Sequence, residues 1–125
     1  MRALVLGTAI GLIVGTSALA DEDKFSANSV VPYCRAALNN EAPIVASDAI
    51  MQAMCIATVD VVDFMMSNYP AQANEYRSCP PSDMTLRQVV QIVITYIDAR
   101  PERMNESFKK LAIEAIHDAW PCGTN

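Results

Sequence analysis

Four cysteines constrain this chain more than any other feature, and the pair that closes its second half, Cys79 and Cys122, frames a stretch with the pattern of a helical hairpin. A first helix is predicted after Thr85, whose hydroxyl can cap it while Gln88 reaches back in the T-x-x-Q pattern of a capping box. Leu86, Val89, Val90, Val93, Ile94 and Ile97 then recur at helical spacing, with Ile92 and Tyr96 making a second side partly apolar. Pro101 disfavours the α region for Arg100 and suits the first position of a following helix. That second helix carries Met104, Phe108, Leu111, Ala112, Ala115 and Ala119 on one stripe and an i, i+4 pair of Glu106 with Lys110 on a solvated side, and ends at Pro121 and Gly123. Antiparallel helices rise equally per residue, so Cys79 and Cys122 should return to similar heights and bond.

The compartment comes from the other end of the chain. Met1 and Arg2 precede the apolar run Ala3 to Ala18 and the small-residue site Ala18-Leu19-Ala20, the pattern of a secretory signal peptide over residues 1–20. No other apolar run approaches membrane length on this reading. Cleavage would leave a mobile tail over 21–27 and one domain over 28–125, too short for two cores. An even number of cysteines in an oxidising compartment suggests disulfides; the favoured pairing is Cys34 with Cys55 and Cys79 with Cys122, each bracketing a helix turn. Each bridge would contribute roughly 3 to 4 kcal/mol by loop entropy. The rival is Cys55 with Cys79, because Tyr69-Pro70 could also turn the chain back between them.

In the first half, Asn28 is expected to cap a short helix carrying Val30, Val31, Cys34, Ala37 and Leu38, with Pro32 in its first turn and Asn39-Asn40 at its end. Ser47 is expected to cap a second helix with Ile50, Ala53, Met54, Ala57, Val61, Phe64 and Met65 on its core side. Met54, Met65 and Met104 are then core residues, and Met51 and Met66 the exposed ones. The fold expected is all-α, a small four-helix bundle with two intrachain disulfides.

A net charge of −5, one unit more negative without Arg2, excludes the basic patch that nucleic acid requires and favours protein partners. The segment from Asn68 to Asp83 is rich in proline and polar residues yet carries Tyr69, Tyr76 and Arg77, types enriched at interfaces. With Glu75 and Asp83 guiding encounter by charge, these five residues are the candidate partner-binding set, and Tyr33 joins them if exposed. The bland alternative is a connecting loop whose tyrosines pack down. No metal site or cofactor is expected: there is one histidine and no C-x-x-C. His117, near Glu114 and Asp118, reads as a solvated last-turn residue, Asp60 and Asp63 lack a cleft, and the Asn105-Glu106-Ser107 sequon falls inside a predicted helix. Nothing here supports an enzyme.

The run T-L-R-Q-V-V-Q-I-V-I-T-Y-I-D-A-R-P-E-R, with the closing A-I-E-A-I-H-D-A-W-P-C and the upstream P-Y-C-R-A-A-L and C-I-A-T-V segments, resembles the Rap/Tai family of immunity proteins. Ala53 and Ala57 stand where that family's pattern has glycines flanking the second cysteine. The resemblance implies a bacterial periplasmic, homodimeric, non-catalytic inhibitor that occludes the cleft of a type VI secretion peptidoglycan amidase. A different class, a periplasmic stress or client-binding chaperone, would instead expose apolar surface as its carboxylates protonate in acid.

Overall fold

The computed structural model describes residues 25–69 and 73–123; the expected signal peptide over 1–20, its cleavage site and residues 21–24 lie outside them. Four helices make up an all-α bundle: α1 (Ala27–Leu38), α2 (Ala46–Asn68), α3 (Leu86–Asp98) and α4 (Phe108–Ala119), with 3-10 turns at Asn74–Tyr76 and Pro101–Arg103. Among the described residues there is no strand, only two isolated bridges, Ser26 with Ser107 and Ser78 with Pro121.

α3 forms as its sequence dictates. Gln88 donates its backbone N–H to Thr85 Oγ1 at 3.3 Å, Thr85 donates its own to Gln88 Oε1 at 2.8 Å, and Val89, Val90, Val93, Ile94 and Ile97 are all buried. These two bonds satisfy amides that a helix start leaves without intrahelical partners. α1 buries Val30, Val31, Cys34 and Leu38, and ends at Asn39 with Asn40 at φ 55°, a left-handed position that asparagine tolerates better than most residues. Both favoured disulfides are present: Cys34–Cys55 ties α1 to α2 and Cys79–Cys122 ties the segment before α3 to the end of α4. The Cys55–Cys79 rival is thereby excluded.

The link between α3 and α4 departs from expectation. Pro101 starts only a single 3-10 turn, and α4 begins seven residues later at Phe108. The reason is tertiary. Ala27 donates its N–H to the Glu106 carbonyl, Asn28 to the Met104 carbonyl, and Phe108 to the Phe25 carbonyl, each at 2.9 Å. These bonds engage main-chain groups of the link, at Met104 and Glu106, with residues 25–28 rather than with a helix continuing through it. The described end of the expected 21–27 tail is thus tied down. α1 also starts before Asn28, whose side chain bonds to Asn105 instead of capping, and Pro32 falls inside the helix rather than in its first turn. Asn105 and Glu106 lie in the turn, so the sequon is not helical. On α4, Ile116 is buried while Ala119 is exposed, the reverse of the expected stripe end.

The D-A-R-P-E-R block builds a clamp across this link. Arg103 donates from Nε to Glu106 at 2.7 Å and from Nη1 to Glu114 at 2.6 Å. Glu114 also accepts from the Tyr96 hydroxyl at 3.1 Å, and the Arg100 guanidinium stacks 3.6 Å over the Tyr96 ring. Lys110 completes the expected pair with Glu106 at 2.8 Å. Hydrogen bonds first from Arg103 and then from Lys110 hold the Glu106 carboxyl down at about 2, and Arg103 lowers that of Glu114. Apart from this cluster, an ion pair of Arg35 with Asp98 joins α1 to α3.

The face of α2 corrects the sequence reading most. Cys55, Val59 and Met66 are buried, with Met51, Ile56 and Val62 packed beside them, whereas Ile50, Ala53, Ala57, Val61, Phe64 and Met65 point outward. Met66 is core and Met65 exposed, opposite to expectation, while Met51, Met54 and Met104 are half-buried. Ser47 does not cap: the helix starts one residue earlier, and the Asp48 carboxylate accepts the amides of Ile44 and Val45 at 3.3 Å. α2 is also apolar on more than one side over much of its length, so by length and composition it could cross a membrane, contrary to the expectation that only the N-terminal run reaches that length. Its bond from Cys55 to Cys34 and the burial of Val59 and Met66 show it instead as one wall of the bundle.

Candidate partner-binding surface

The exposed half of α2 and the segment after it form one surface. At the helix end, Phe64 packs edge-on against Tyr69 with ring centres 5.7 Å apart, and Asn68 caps by donating to the Phe64 carbonyl at 2.9 Å. The chain returns in the 3-10 turn Asn74–Tyr76, where Tyr76 lies edge-on to His117 of α4 at 5.9 Å. His117 Nδ1 is 3.1 Å from the Arg77 carbonyl. Ser78 donates its amide to the Met66 carbonyl at 3.3 Å and Cys79 to the Trp120 carbonyl at 2.9 Å, so the segment is held between the ends of α2 and α4. Ser78 is buried, its hydroxyl 3.4 Å from that of Ser67.

Beneath Tyr76 runs a groove of about 220 Å³ lined by Val61, Val62, Met65, Met66, Ala73, Tyr76 and Ile113. Its lining is almost wholly apolar, and the volume suits one large aliphatic or aromatic side chain. Val61 is 58 % exposed and Phe64 53 %, with Tyr69 at 44 % and Tyr76 at 42 %, so the groove opens into a continuous apolar and aromatic patch. Farther along α2, Ile44, Val45 and Ile50 continue the exposed stripe toward its start. An exposed apolar area of this kind on a small domain is a candidate interaction site.

Of the five residues singled out from sequence, Tyr69 and Tyr76 border this patch, and Glu75 and Arg77 are exposed beside Tyr76. Asp83 is exposed too, but it stands beyond Cys79 in the turn entering α3 and does not line the groove. Tyr33 is half-buried on α1. Val61, Phe64 and Met65 were missed because the sequence reading placed them in the core. The signal that could have found them was Cys55: a bridge to α1 turns Cys55 inward, and Val59 and Met66, four and eleven residues on, share its side, which puts Val61 and Phe64 on the other.

The remaining chemical candidates are engaged elsewhere. His117 is half-buried under Tyr76, and Glu114 is committed to Arg103, so the two do not form a base pair for catalysis. Asp60 is exposed along a shallow groove lined by Ala37, Ala53 and Ala57, while Asp63 has one carboxylate oxygen buried without a hydrogen bond. Burial, and then the charge of Asp60, push the Asp63 carboxyl up. Among the described residues no group of three or more His, Cys, Asp or Glu side chains could hold a metal ion.

Comparison with known proteins adds the family. No curated protein and no solved structure matches the chain. The model of the Rap1a immunity proteins matches residues 19–122, which takes in all four helices, both disulfides and the whole of the patch just described. That family is generally non-catalytic and acts by binding a secreted protein effector, and with two disulfides it points to an extracytoplasmic protein. The chain belongs to the Rap1a immunity protein family.

Proposed function

We propose that this protein is a periplasmic immunity protein, exported by its signal peptide, that binds a type VI secretion peptidoglycan amidase and occludes its active-site cleft without catalysis of its own. The observation that carries the reading is the exposed patch of Val61, Phe64, Met65, Tyr69 and Tyr76 around an apolar groove. Inhibition by occlusion needs a few well-packed anchors projecting from a rigid scaffold. Here the 3-10 turn is fastened at both ends, so Tyr76 is presented with little ordering left to lose on binding. Glu75 and the chain's net negative charge favour encounter with a basic hydrolase.

The other end of the exposed α2 stripe suits a second copy of this chain. Ala53 and Ala57 carry no bulk between Ile50 and Val61, which lets two α2 helices approach closely in a homodimer. An exposed apolar helix would also suit client binding, and stoichiometry separates the two readings. Pull-down with the chain from Asp21 onward should recover one amidase in equimolar amount, and replacing Tyr76 and Arg77 by alanine should weaken that complex at least tenfold with helical content unchanged. Capture of many unrelated proteins, with no saturable amidase complex, would replace inhibition by client binding.

A further inference from the structure

The two disulfides differ in access and in what they hold. Cys34 and Cys55 are completely buried between α1 and α2. Cys79 is exposed and Cys122 only half-buried, and their bond fastens the segment carrying Tyr76 and Arg77 to the end of α4. We propose that Cys79–Cys122 is a redox latch on the partner-binding surface: a dithiol reductant opens it, releases the segment from Ala73 to Cys79 and unseats Tyr76, while the helical core stays folded. The partner in question is the one inferred above, but the latch itself is a property of this chain.

The geometry makes the separation of latch and core credible. Around the bridge, the segment is held to α4 and the residues after it by the Cys79 amide on the Trp120 carbonyl, the Ser78–Pro121 bridge and the His117 contacts. With the covalent tie gone, these contacts and the Ser78 amide on the Met66 carbonyl at 3.3 Å are what hold the segment, and a local opening of them breaks no helix. By contrast, α3 and α4 bury Val90, Ile94, Leu111 and Ala115 in the common core and keep the Arg103 clamp, none of which involves the bridge.

The chemistry is thiol–disulfide exchange. One thiolate of the dithiol attacks Sγ of Cys79, the more exposed residue of the pair; the S–S bond breaks and Cys122 leaves as a thiolate that takes up a proton. The second thiol of the reductant then attacks the mixed disulfide and releases Cys79 as a thiol. Two electrons and two protons pass to the protein, and the dithiol becomes a cyclic disulfide. Formation is the reverse, with a disulfide oxidant, so a chain held in a reducing compartment would lack an assembled surface and would gain it on export.

Dithiothreitol is the probe, with the oxidised chain from Asp21 onward. Thiols trapped by alkylation and mapped by peptide mass should appear at Cys79 and Cys122 roughly a hundredfold faster than at Cys34 and Cys55, whose sulfurs react only through a larger opening. With the first pair reduced, hydrogen exchange at the Ser78 and Cys79 amides should rise at least about tenfold and the emission of Trp120, the sole tryptophan, should shift, with far-ultraviolet helical signal retained. The double variant C79S/C122S should show the same exchange without reductant. Equal reduction rates for the two bridges, unchanged exchange at Ser78 and Cys79, or loss of helical signal together with the first reduction would each overturn the latch. None of these readouts uses a partner, so they stand or fall separately from the amidase reading.

Discussion

Two valines on α2, two residues apart, give opposite outcomes if the helix is turned as described. Val59 is completely buried and Val61 is 58 % exposed. Truncating Val59 to alanine removes two buried methyl groups, about 1.6 kcal/mol of transfer free energy, and the incompletely collapsed space adds about 1 kcal/mol more. Alanine is the better helix former by roughly 0.5 kcal/mol, which offsets part of this at both sites. The expected net cost is about 2 kcal/mol for Val59→Ala. At Val61 the transfer loss shrinks to about 0.7 kcal/mol and the propensity gain nearly cancels it. Urea denaturation followed by helical signal, with equal m-values, reads the difference directly, and in a domain of this size Val59→Ala should lower the Tm by roughly 10 °C while Val61→Ala leaves it within about 2 °C. A larger loss at Val61 than at Val59 would refute this orientation of α2, and with it the groove and the apolar patch.

Two further expectations concern protons. The folded-state pKa of Asp63 lies above its ordinary 3.8, so its contribution favours folding below that value and is lost as pH rises through the folded pKa; Asp63→Asn should therefore stabilise the protein at pH 7, with the advantage vanishing below about pH 3.8 in urea midpoints measured across pH. Glu106 has the opposite sign. Its carboxyl is held at about 2 against 4.5, so its stabilisation is complete above pH 4.5 and is lost as pH falls toward 2, and Glu106→Gln should flatten the decline of stability in that window.

Much of the bundle was legible because it rests on local chemistry. The Thr85 and Gln88 box, the stripe from Val89 to Ile97 and the halt at Arg100 before Pro101 each depend on residues within a turn or two of one another. The cysteine pairing was legible from equal chain distances about a turn. Less of the site was readable. Tyr69 and Tyr76 were identifiable by type, but what makes them a surface is the groove formed with Ile113 of α4, and no local pattern brings Ile113 to Ala73. The start of α4 was equally out of reach, since it is decided by Phe25, Ala27 and Asn28 from the other end of the described chain.

The sequence by itself determined four helices, two cross-links and an acidic exterior, because helix propensity, capping and loop entropy act over short chain distances or on chain length alone. Apolar periodicity left open which side of α2 faces inward, and tertiary packing decided it, with Cys55 the one mark of the answer in the sequence. That helix is apolar on two sides, so burying either one removes a comparable amount of hydrocarbon from water, and periodicity cannot choose between them. The choice is made by the Cys34–Cys55 bond together with the fit of Val59 and Met66 against the neighbouring helices, and the side left over, from Ile44 to Tyr69, is the surface available to a partner.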